Sequence, residues 1–428
     1  MPTPSATPTA AQSPPAKQRS VLLDLPFLRL WTGATASGLA TWALPFVLGL
    51  ALLDRTLTAT DLGLLLAART VGFLAAVPVA GVLADRHSRR GVVLWAGLAA
   101  GAAAPVIAAG LDRSVLLMAM TGAAIAGAGQ GACRPAYQAL TAEVVDADHR
   151  QQANAAMTLA VRVTTLVGPS LAALLAVFLD IWALLVGIGL LWVVAACVPG
   201  RGKQRAATSA PLAPSAGAGG RSFVAEFTEG VREARRHPWF LAGLGALTAV
   251  IATGYSATGV ALPLVSREEY GTEVVLAGAM TAYTAGALAG ALLIARWRPR
   301  SPGWAALAGL AAYGLAPLSL VFPVHPVVVM AAYAVAGVGI ELFNVPWFTA
   351  AQREVAPDKL ARVSSLDFLL SYGLAPLGLA LIAPAIDAFG TRAVLVGCAI
   401  ACFAAPAVAA LVPSARTFSH PPSRHDTP

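Results

Sequence analysis

The sequence predicts an all-helical membrane protein whose twelve transmembrane helices form two six-helix bundles. Of its 428 residues, 57% are hydrophobic and only 12% are charged, whereas a soluble domain carries about 25% charged residues. The apolar residues form runs of about 20, the length that a bilayer core requires of a helix. These runs fall into two sets of six, which a polar segment separates.

The twelve predicted spans are runs with few charges. They lie near 30–53, 62–84, 91–111, 114–133, 155–179 and 181–198, and then near 239–265, 274–295, 303–322, 327–350, 363–386 and 393–413. We expect an N-terminal bundle over 21–199 and a C-terminal bundle over 238–413. Residues 1–20 and 414–428 are predicted to be cytoplasmic tails. The first tail is predicted to be disordered because it is rich in Pro, Ala, Ser and Thr.

Residues 200–237 are predicted to form a cytoplasmic linker between the bundles. Most of this segment is rich in Pro, Gly and Ser, which is typical of flexible linkers. Near its end, Phe223, Phe227 and Val231 recur at four-residue steps, which places them on one face of a helix. The linker is therefore predicted to end in an amphipathic helix at the membrane interface.

The basic residues predict the orientation in the membrane. With the N-terminus placed inside, 23 of the 29 Lys and Arg residues fall on the inner side, 4 fall outside, and Arg69 and Arg162 lie within spans. Cytoplasmic loops carry an excess of Lys and Arg, so both termini are predicted to be cytoplasmic. The expected location is the cell inner (plasma) membrane. The net charge of +8 is explained by this asymmetry and requires no nucleic-acid partner.

The two halves carry an internal repeat. Residues 135–143 and 346–354 each begin with Pro and end with Glu, and each Glu opens a short polar loop. The span after each loop contains a break, GP at 168–169 and AP at 375–376. Parallel repeats of six spans are a transporter architecture in which the substrate passes between the halves.

A second part of the repeat is the loop GVLADRHSRR at 81–90, which places charged residues between two apolar runs. Its counterpart is GALLIARWRPR at 290–300. The basic residues recur in this copy, but Ile294 stands where the first copy has Asp85. The excess of positive charge on the inner side explains the arginines and leaves Asp85 unexplained.

Four segments together resemble the major facilitator superfamily, and within it the drug:proton antiporter group of macrolide exporters and the enterobactin exporter. They are GLLLAAR at 63–69, the loop at 81–90, GACRPAYQALTAEVV at 131–145 and ANAAMTLAVRVTTLVGP at 153–169. The resemblance extends over roughly 20–415. It implies secondary active transport by alternating access, with proton-coupled efflux of an amphipathic drug, antibiotic or siderophore by a monomer.

The resemblance also implies roles for particular residues. In such transporters the loop at 81–90 latches the two halves together on the cytoplasmic side. Asp85 would then interact with the start of span eleven, between Arg362 and Asp367, and the arginines with nearby acids. The implied latch residues are Gly81, Asp85, Arg86, Arg89, Arg90, Glu143 and Asp146, and those of the fifth-span antiporter motif are Gly168 and Pro169.

The sequence departs from the family pattern at several positions. Ala40 and Thr41 stand where the subgroup often has Gly-Asp in the first span, and the acid of that pair is commonly linked to cation coupling. Ser88 replaces the usual glycine of the signature loop. The later glycine pair of the fifth-span motif is Ala172 and Ala173.

Glu341 is the most deeply embedded acid and the main candidate for proton coupling. Ionisable residues within spans are costly and tend to be functional, and a carboxyl group there can load and release a proton. Its counterpart in the first half is Gln130. The alternative is a structural role, in which Glu341 bonds to Asn344 or a neighbouring helix, or pairs with an arginine.

Three further charged residues lie within spans. Asp367 lies near the start of span eleven and either takes part in coupling or stabilises the helix N-terminus, which favours negative charge. We expect an ion pair for Arg69 and for Arg162, since an isolated buried charge is costly, although either arginine can also attract an anionic substrate. The candidate coupling residues are Glu341, Arg69, Gln130, Asn344, Arg162 and Asp367.

Other function classes find little support in the sequence. No lysine completes a phosphate-binding GxxxxGK[ST] loop, and neither HExxH nor GxSxG occurs, so we expect neither an ATP-driven pump nor an enzyme. The four cysteines lack metal-ligand spacing, and we expect no metal and no cofactor. The expected partners are the bilayer and a small-molecule substrate, with protons. Uptake of a metabolite and a transport-inactive scaffold remain open.

Overall fold

The computed structural model describes residues 21–54, 56–86, 88–200, 223–272, 274–373 and 375–419. In this part of the chain the regular secondary structure is helical. The predicted tail over 1–20, residues 201–222 of the predicted linker and residues 420–428 lie outside the described residues.

The first half contains six helices. They are α1 (Leu25–Leu53), α2 (Ala59–Arg86), α3 (Arg89–Asp112), α4 (Leu116–Val144), α5 (Arg150–Leu175) and α6 (Ile181–Cys197). Two of their starts are fixed by side-chain caps, which satisfy backbone N–H groups that have no partner within the helix. Ser88 Oγ accepts from the Gly91 N–H at 3.1 Å before α3, and Asp180 Oδ1 accepts from the Ala183 N–H at 2.7 Å before α6.

The short linker helix α7 (Phe223–Arg235) precedes the second half, whose helices range from 5 to 29 residues in length. These are α8 (Pro238–Val250), α9 (Ser256–Glu268), α10 (Val274–Arg296), α11 (Pro302–Ala312), α12 (Leu315–Ser319), α13 (Pro326–Glu354), α14 (Leu360–Gly373), α15 (Ala375–Phe389) and α16 (Thr391–Ala409). A π-helical turn over Ile251–Tyr255 joins α8 to α9 within a single span.

Helices occupy all twelve predicted spans. Among the described residues, nine helices are long and apolar enough to cross a membrane, and α6 is a shorter apolar helix. Predicted span nine is the broken helix α11–α12, whereas predicted span eleven contains α14 and α15 on either side of residue 374, which lies outside the described residues. Pro317 follows the break in span nine, and it cannot donate the backbone hydrogen bond that would continue the preceding helix. The predicted class, twelve helices in two six-helix bundles, is confirmed.

Corresponding helices make the closest contacts in the two halves. In the first half α2 packs on α4, and in the second half α10 packs on α13. Gly127 of α4 touches the Arg69 carbonyl, and Gly337 of α13 touches the Tyr283 carbonyl, with no room for a Cβ atom at either glycine. Small residues let membrane helices approach this closely. The internal repeat of the sequence therefore appears as repeated packing.

The two halves meet along α2, α4 and α5 on one side and α10, α13 and α14 on the other. Several hydrogen bonds cross at the helix ends that the charge asymmetry places in the cytoplasm, and we call this end the inner face. Arg150 Nη1 donates to the Gln352 carbonyl at 2.8 Å, and Arg298 Nη2 donates to the Asp148 carbonyl at 3.0 Å. The inner face is therefore closed in this structure.

Candidate functional site

An ion pair joins the two halves midway along two helices that are long and apolar enough to cross a membrane. Arg162, midway along α5, donates from Nε to Oε1 of Glu341, midway along α13, at 2.6 Å. The Glu341 side chain is fully buried, whereas that of Arg162 is 21% exposed and its guanidinium lies 5.8 Å from the ring centroid of Tyr283. Asn344 makes a further polar contact with Glu341. The ion pair that we expected for Arg162 is thus present, and its acid lies on the opposite half.

The corresponding position in the first half holds an amide. Gln130 Oε1 accepts from Arg69 Nη2 at 2.6 Å, and the Thr41 carbonyl accepts from the same nitrogen at 3.0 Å. The expectation of an ion pair for Arg69 is wrong for the described residues, because Gln130 stands where the second half has Glu341. Arg134 lies near enough to repel the charge of Arg69. This half of the site is therefore rich in positive charge.

Asp367 makes its hydrogen bonds within the second half. Its Oδ2 accepts from Trp347 Nε1 at 3.3 Å, and its Oδ1 accepts from Ser371 Oγ at 3.1 Å. Trp347 stacks on Phe240 and Phe343, so Asp367 is anchored to a buried aromatic cluster. Because α14 begins at Leu360, Asp367 lies beyond the first turn, and the interpretation that it stabilises the helix N-terminus is wrong.

A different carboxylate occupies the N-terminus of α14. Asp85, at the end of α2, accepts from the N–H groups of Ala361 at 3.3 Å and Arg362 at 3.0 Å, and its side chain is fully buried. Helix N-termini carry unpaired N–H groups and favour negative charge. A Cβ atom on Gly81 would lie 2.6 Å from Ser365 Oγ, so glycine at that position lets α2 approach α14. We call the contact of Asp85 with the start of α14 the first latch.

The other predicted latch residues divide into two groups. Arg89 belongs with Asp85, because it also contacts the opposite half: its Nη2 donates across the inner face to the Pro357 carbonyl. Its Nη1 lies 3.4 Å from Glu143 Oε2. Arg90 instead donates to the Cys197 carbonyl of its own half at 3.3 Å.

Arg86 and Asp146 complete the predicted set. Arg86 is exposed at the end of α2. Asp146 precedes the 3-10 turn Ala147–His149, where its side chain makes no capping hydrogen bond. Of the predicted set, the structure brings together Gly81, Asp85, Arg89 and Glu143 at the inner face.

The fifth-span motif residues lie where α5 crosses α1. A Cβ atom on Gly168 would lie 3.1 Å from the Cβ of Trp42 and 3.4 Å from the backbone nitrogen of Ala43. Pro169 follows within α5 and removes one helical N–H. The motif therefore sets the close contact and the course of α5, which also carries Arg162.

A set of amides between the halves was not identified from the sequence. Asn154 Nδ2 donates to Thr349 Oγ1 and to Gln352 Oε1, each at 2.9 Å. Gln352 Nε2 in turn donates to the Gln138 carbonyl at 3.2 Å. These amides lie in α4, α5 and α13 but just beyond the predicted spans 114–133, 155–179 and 327–350, so the span pattern did not point to them.

The linker helix α7 contacts the start of α14. Arg362 Nη1 donates to Glu229 Oε2 at 3.2 Å, and Lys359 Nζ donates to Glu233 Oε2 at 3.0 Å. A Cβ atom on Gly230 would lie 2.9 Å from the Cβ of Arg362, so the helix surfaces are in close contact. The acids of α7 thus hold the same segment that receives Asp85.

The surroundings of the Glu233 carboxyl group favour its ionised form. Burial opposes ionisation, but the hydrogen bond and charge of Lys359, with Arg236 and His237 nearby, outweigh it and lower the pKa of Glu233. A group whose pKa is lower in the folded state stabilises that state above its unfolded pKa. That stabilisation is lost as the pH falls through the folded value.

We expect Glu233→Gln to lower the free energy of unfolding by about 1 kcal/mol at neutral pH, since it removes one largely buried ion pair. The difference from wild type should shrink as the pH falls below the usual glutamate value of 4.5. Thermal unfolding of detergent-solubilised protein at several pH values measures both effects. The matched control is Glu269→Gln, an exposed acid. Equal destabilisation by both substitutions would contradict the role of Lys359.

The comparisons with known proteins agree with this architecture. The family model described as Major Facilitator Superfamily matches residues 30–378. No curated protein sequence matches the chain. A bacterial homologue of the iron transporter ferroportin, in its outward-facing state, has a TM-score of 0.70 at 15% identity and covers 91% of this chain and 98% of its own.

Two other solved structures have the same fold. The human organic anion transporter TETRAN has a TM-score of 0.69 at 16% identity and covers 90% of this chain and 98% of its own. The E. coli fucose:proton symporter, in its outward conformation, has a TM-score of 0.67 at 17% identity and covers 94% of this chain and 100% of its own. At these identities the likeness shows the fold alone.

Proposed function

The chain belongs to the major facilitator superfamily, and from that premise we propose that it exports amphipathic small molecules in exchange for protons. The proposed location is the inner (plasma) membrane, with both termini in the cytoplasm. Export is supported by the resemblance of the fifth span to the antiporter motif. The observation that carries the proton coupling is the buried pair of Arg162 and Glu341, which links the two halves midway along α5 and α13.

The pair supplies a physical route from protonation to movement. While Glu341 is ionised, its attraction to Arg162 holds α5 against α13. A proton on Glu341 removes that attraction and so weakens the contact between α5 and α13. Protonation from the outside would therefore favour separation of the halves at the inner face. Release of the proton to the cytoplasm would let the pair form again.

The charge of the substrate decides the sign of the coupling. A substrate expels a proton only if it binds more tightly to the ionised form of Glu341, because binding couplings are reciprocal. A cationic amphipath beside the ionised carboxylate meets this condition. An anion that competes for Arg162 does the opposite, since it releases Glu341 to take up a proton. Proton exchange is thus favoured by a cationic substrate.

A second candidate function is uptake of an organic anion together with a proton. The observation that favours it is the positive charge of the first half, where Arg134 lies near Arg69 and Arg69 bonds to Gln130 instead of a described carboxylate. A proton symporter and an organic anion transporter both adopt this fold. Direction and substrate charge therefore need to be tested together.

The test uses everted membrane vesicles that contain the protein and are acidified inside by an imposed pH gradient. Ethidium serves as the amphipathic cation and carboxyfluorescein as the anion. We expect ethidium to accumulate in the vesicles and to dissipate part of the gradient, with no change in vesicles lacking the protein. Outward movement of carboxyfluorescein together with protons would favour the second candidate. Movement of neither dye by folded protein would contradict both.

A further inference from the structure

The inner end of α10 corresponds to the inner end of α2 but lacks its acid. The repeat aligns Gly81 with Gly290, which places Ile294 opposite Asp85. A branched apolar side chain can accept no hydrogen bond, so the contact made by Asp85 has no direct copy. Yet α10 contacts α5 at the inner face, as α2 contacts α14.

Gln151, the second residue of α5 in the first half, makes the contact with this end of α10. Its Nε2 donates to the Ile294 carbonyl at 2.5 Å and to the Trp297 carbonyl at 2.7 Å. Both carbonyls lie at the C-terminal end of α10, where the helix leaves acceptors unsatisfied and carries partial negative charge. A side-chain donor satisfies them, whereas a carboxylate would repel them. An apolar residue at position 294, in place of an acid, is consistent with a helix end whose carbonyls need a donor.

The two contacts are related by an exchange of donor and acceptor. In the first latch the side chain of Asp85 accepts from the backbone N–H groups of Ala361 and Arg362 at the start of α14. In the second contact, a side chain at the start of α5 in the first half donates to backbone carbonyls at the end of α10 in the second half. Each contact pairs the end of one helix with the start of a helix from the opposite half.

The arginines repeat the same arrangement. Arg89 and Arg298 are equivalent in the alignment of the two loops. Arg89 donates to the Pro357 carbonyl in the loop before α14, and Arg298 donates to the Asp148 carbonyl in the loop before α5. Two equivalent contacts therefore close the inner face on opposite sides.

We propose that Gln151 is a positioning residue that forms a second latch with the end of α10, and that Arg298 supports it. The second latch rests on the alternating-access part of the proposed function. Gln151 holds the inner face closed at the end of α10, where Ile294 stands in place of an acid. Because each half moves as a packed unit, both latches must break before the inner face opens. Loss of either latch shifts the equilibrium toward the inner-open state.

The test introduces a negative charge at Gln151. Gln151→Glu keeps the size of the side chain but places a carboxylate against the two carbonyls. Gln151→Lys keeps a donor and is expected to keep the latch. Gln152→Ala, at the neighbouring position, is the matched control. Spin labels on Cys substituted for Ala147 and Arg300, both exposed at the inner face, report its opening by pulsed electron resonance in a variant without native cysteines.

We expect Gln151→Glu to raise the ratio of inner-open to inner-closed protein about tenfold, the effect of losing two hydrogen bonds. Gln151→Lys and Gln152→Ala should match the parent. Gln151→Ala replaces the Glu variant if the latter does not fold, and it should also open. A closed distance in Gln151→Glu, or equal opening in Gln151→Lys, would overturn the second latch while leaving the proposed function intact. A parent distance that never changes during dye transport would overturn alternating access itself.

Discussion

Glu341→Gln is expected to abolish transport driven by a pH gradient while leaving the protein folded. Glutamine keeps the shape of the side chain and an oxygen that can accept from Arg162, but it can neither ionise nor carry a proton through the cycle. Arg162 is partly exposed and contacts Tyr283, so its charge retains favourable surroundings in the variant. We expect gradient-driven ethidium accumulation to fall at least about a hundredfold, the scale at which loss of a proton-transfer group acts.

The decisive comparison is between gradient-driven transport and exchange of labelled for unlabelled ethidium without a gradient. Exchange should persist in Glu341→Gln, because it requires binding and movement but no net proton transfer. Glu354→Gln, the same substitution at the inner end of the same helix, is the control and should retain both activities. Full gradient-driven accumulation by the Glu341→Gln variant would show that another group couples the proton.

Asp85→Asn is expected to impair cycling much more than folding. The asparagine side chain has one acceptor oxygen and no charge, so it loses the charge-assisted hydrogen bonds to the start of α14 and the attraction to Arg362. Hydrogen bonds to charged groups contribute about 1.5–3 kcal/mol each, and a loss of about 2 kcal/mol changes an equilibrium roughly thirtyfold. We expect a shift of that size toward the inner-open state.

Transport rate, inner-face distance and thermal stability should be measured on the same Asp85→Asn preparation. The rate is expected to fall because the inner-closed state is depleted, while the unfolding temperature changes little. Asp358→Asn, an exposed acid in the loop before α14, is the control. Wild-type transport rates in Asp85→Asn would contradict the role of the first latch.

The class of fold was predictable from the sequence because the bilayer imposes it. Apolar runs of helical length, an excess of inner arginines and a repeat in the order of the loops all follow from that one constraint. The π-helical turn at Ile251–Tyr255 was not predictable, because its apolar residues suit any helical geometry.

The partners of the site residues were harder to predict. Arg162 and Glu341 are far apart in the chain and meet only because α5 and α13 turn those faces toward each other, which no local pattern specifies. The role of Gln151 was missed for a related reason. The second half has no counterpart of the Asp85 carboxylate. Its part of the contact is made by backbone carbonyls, which every residue possesses and which no sequence pattern marks.

Proton coupling through Glu341 requires that this residue give up a proton when substrate binds. We would count the protons released in weakly buffered detergent solution as ethidium is added to purified protein. We expect release of about one proton per ethidium bound by the wild type and none by Glu341→Gln at comparable binding. Proton uptake on binding, or equal release by the variant, would contradict coupling through Glu341.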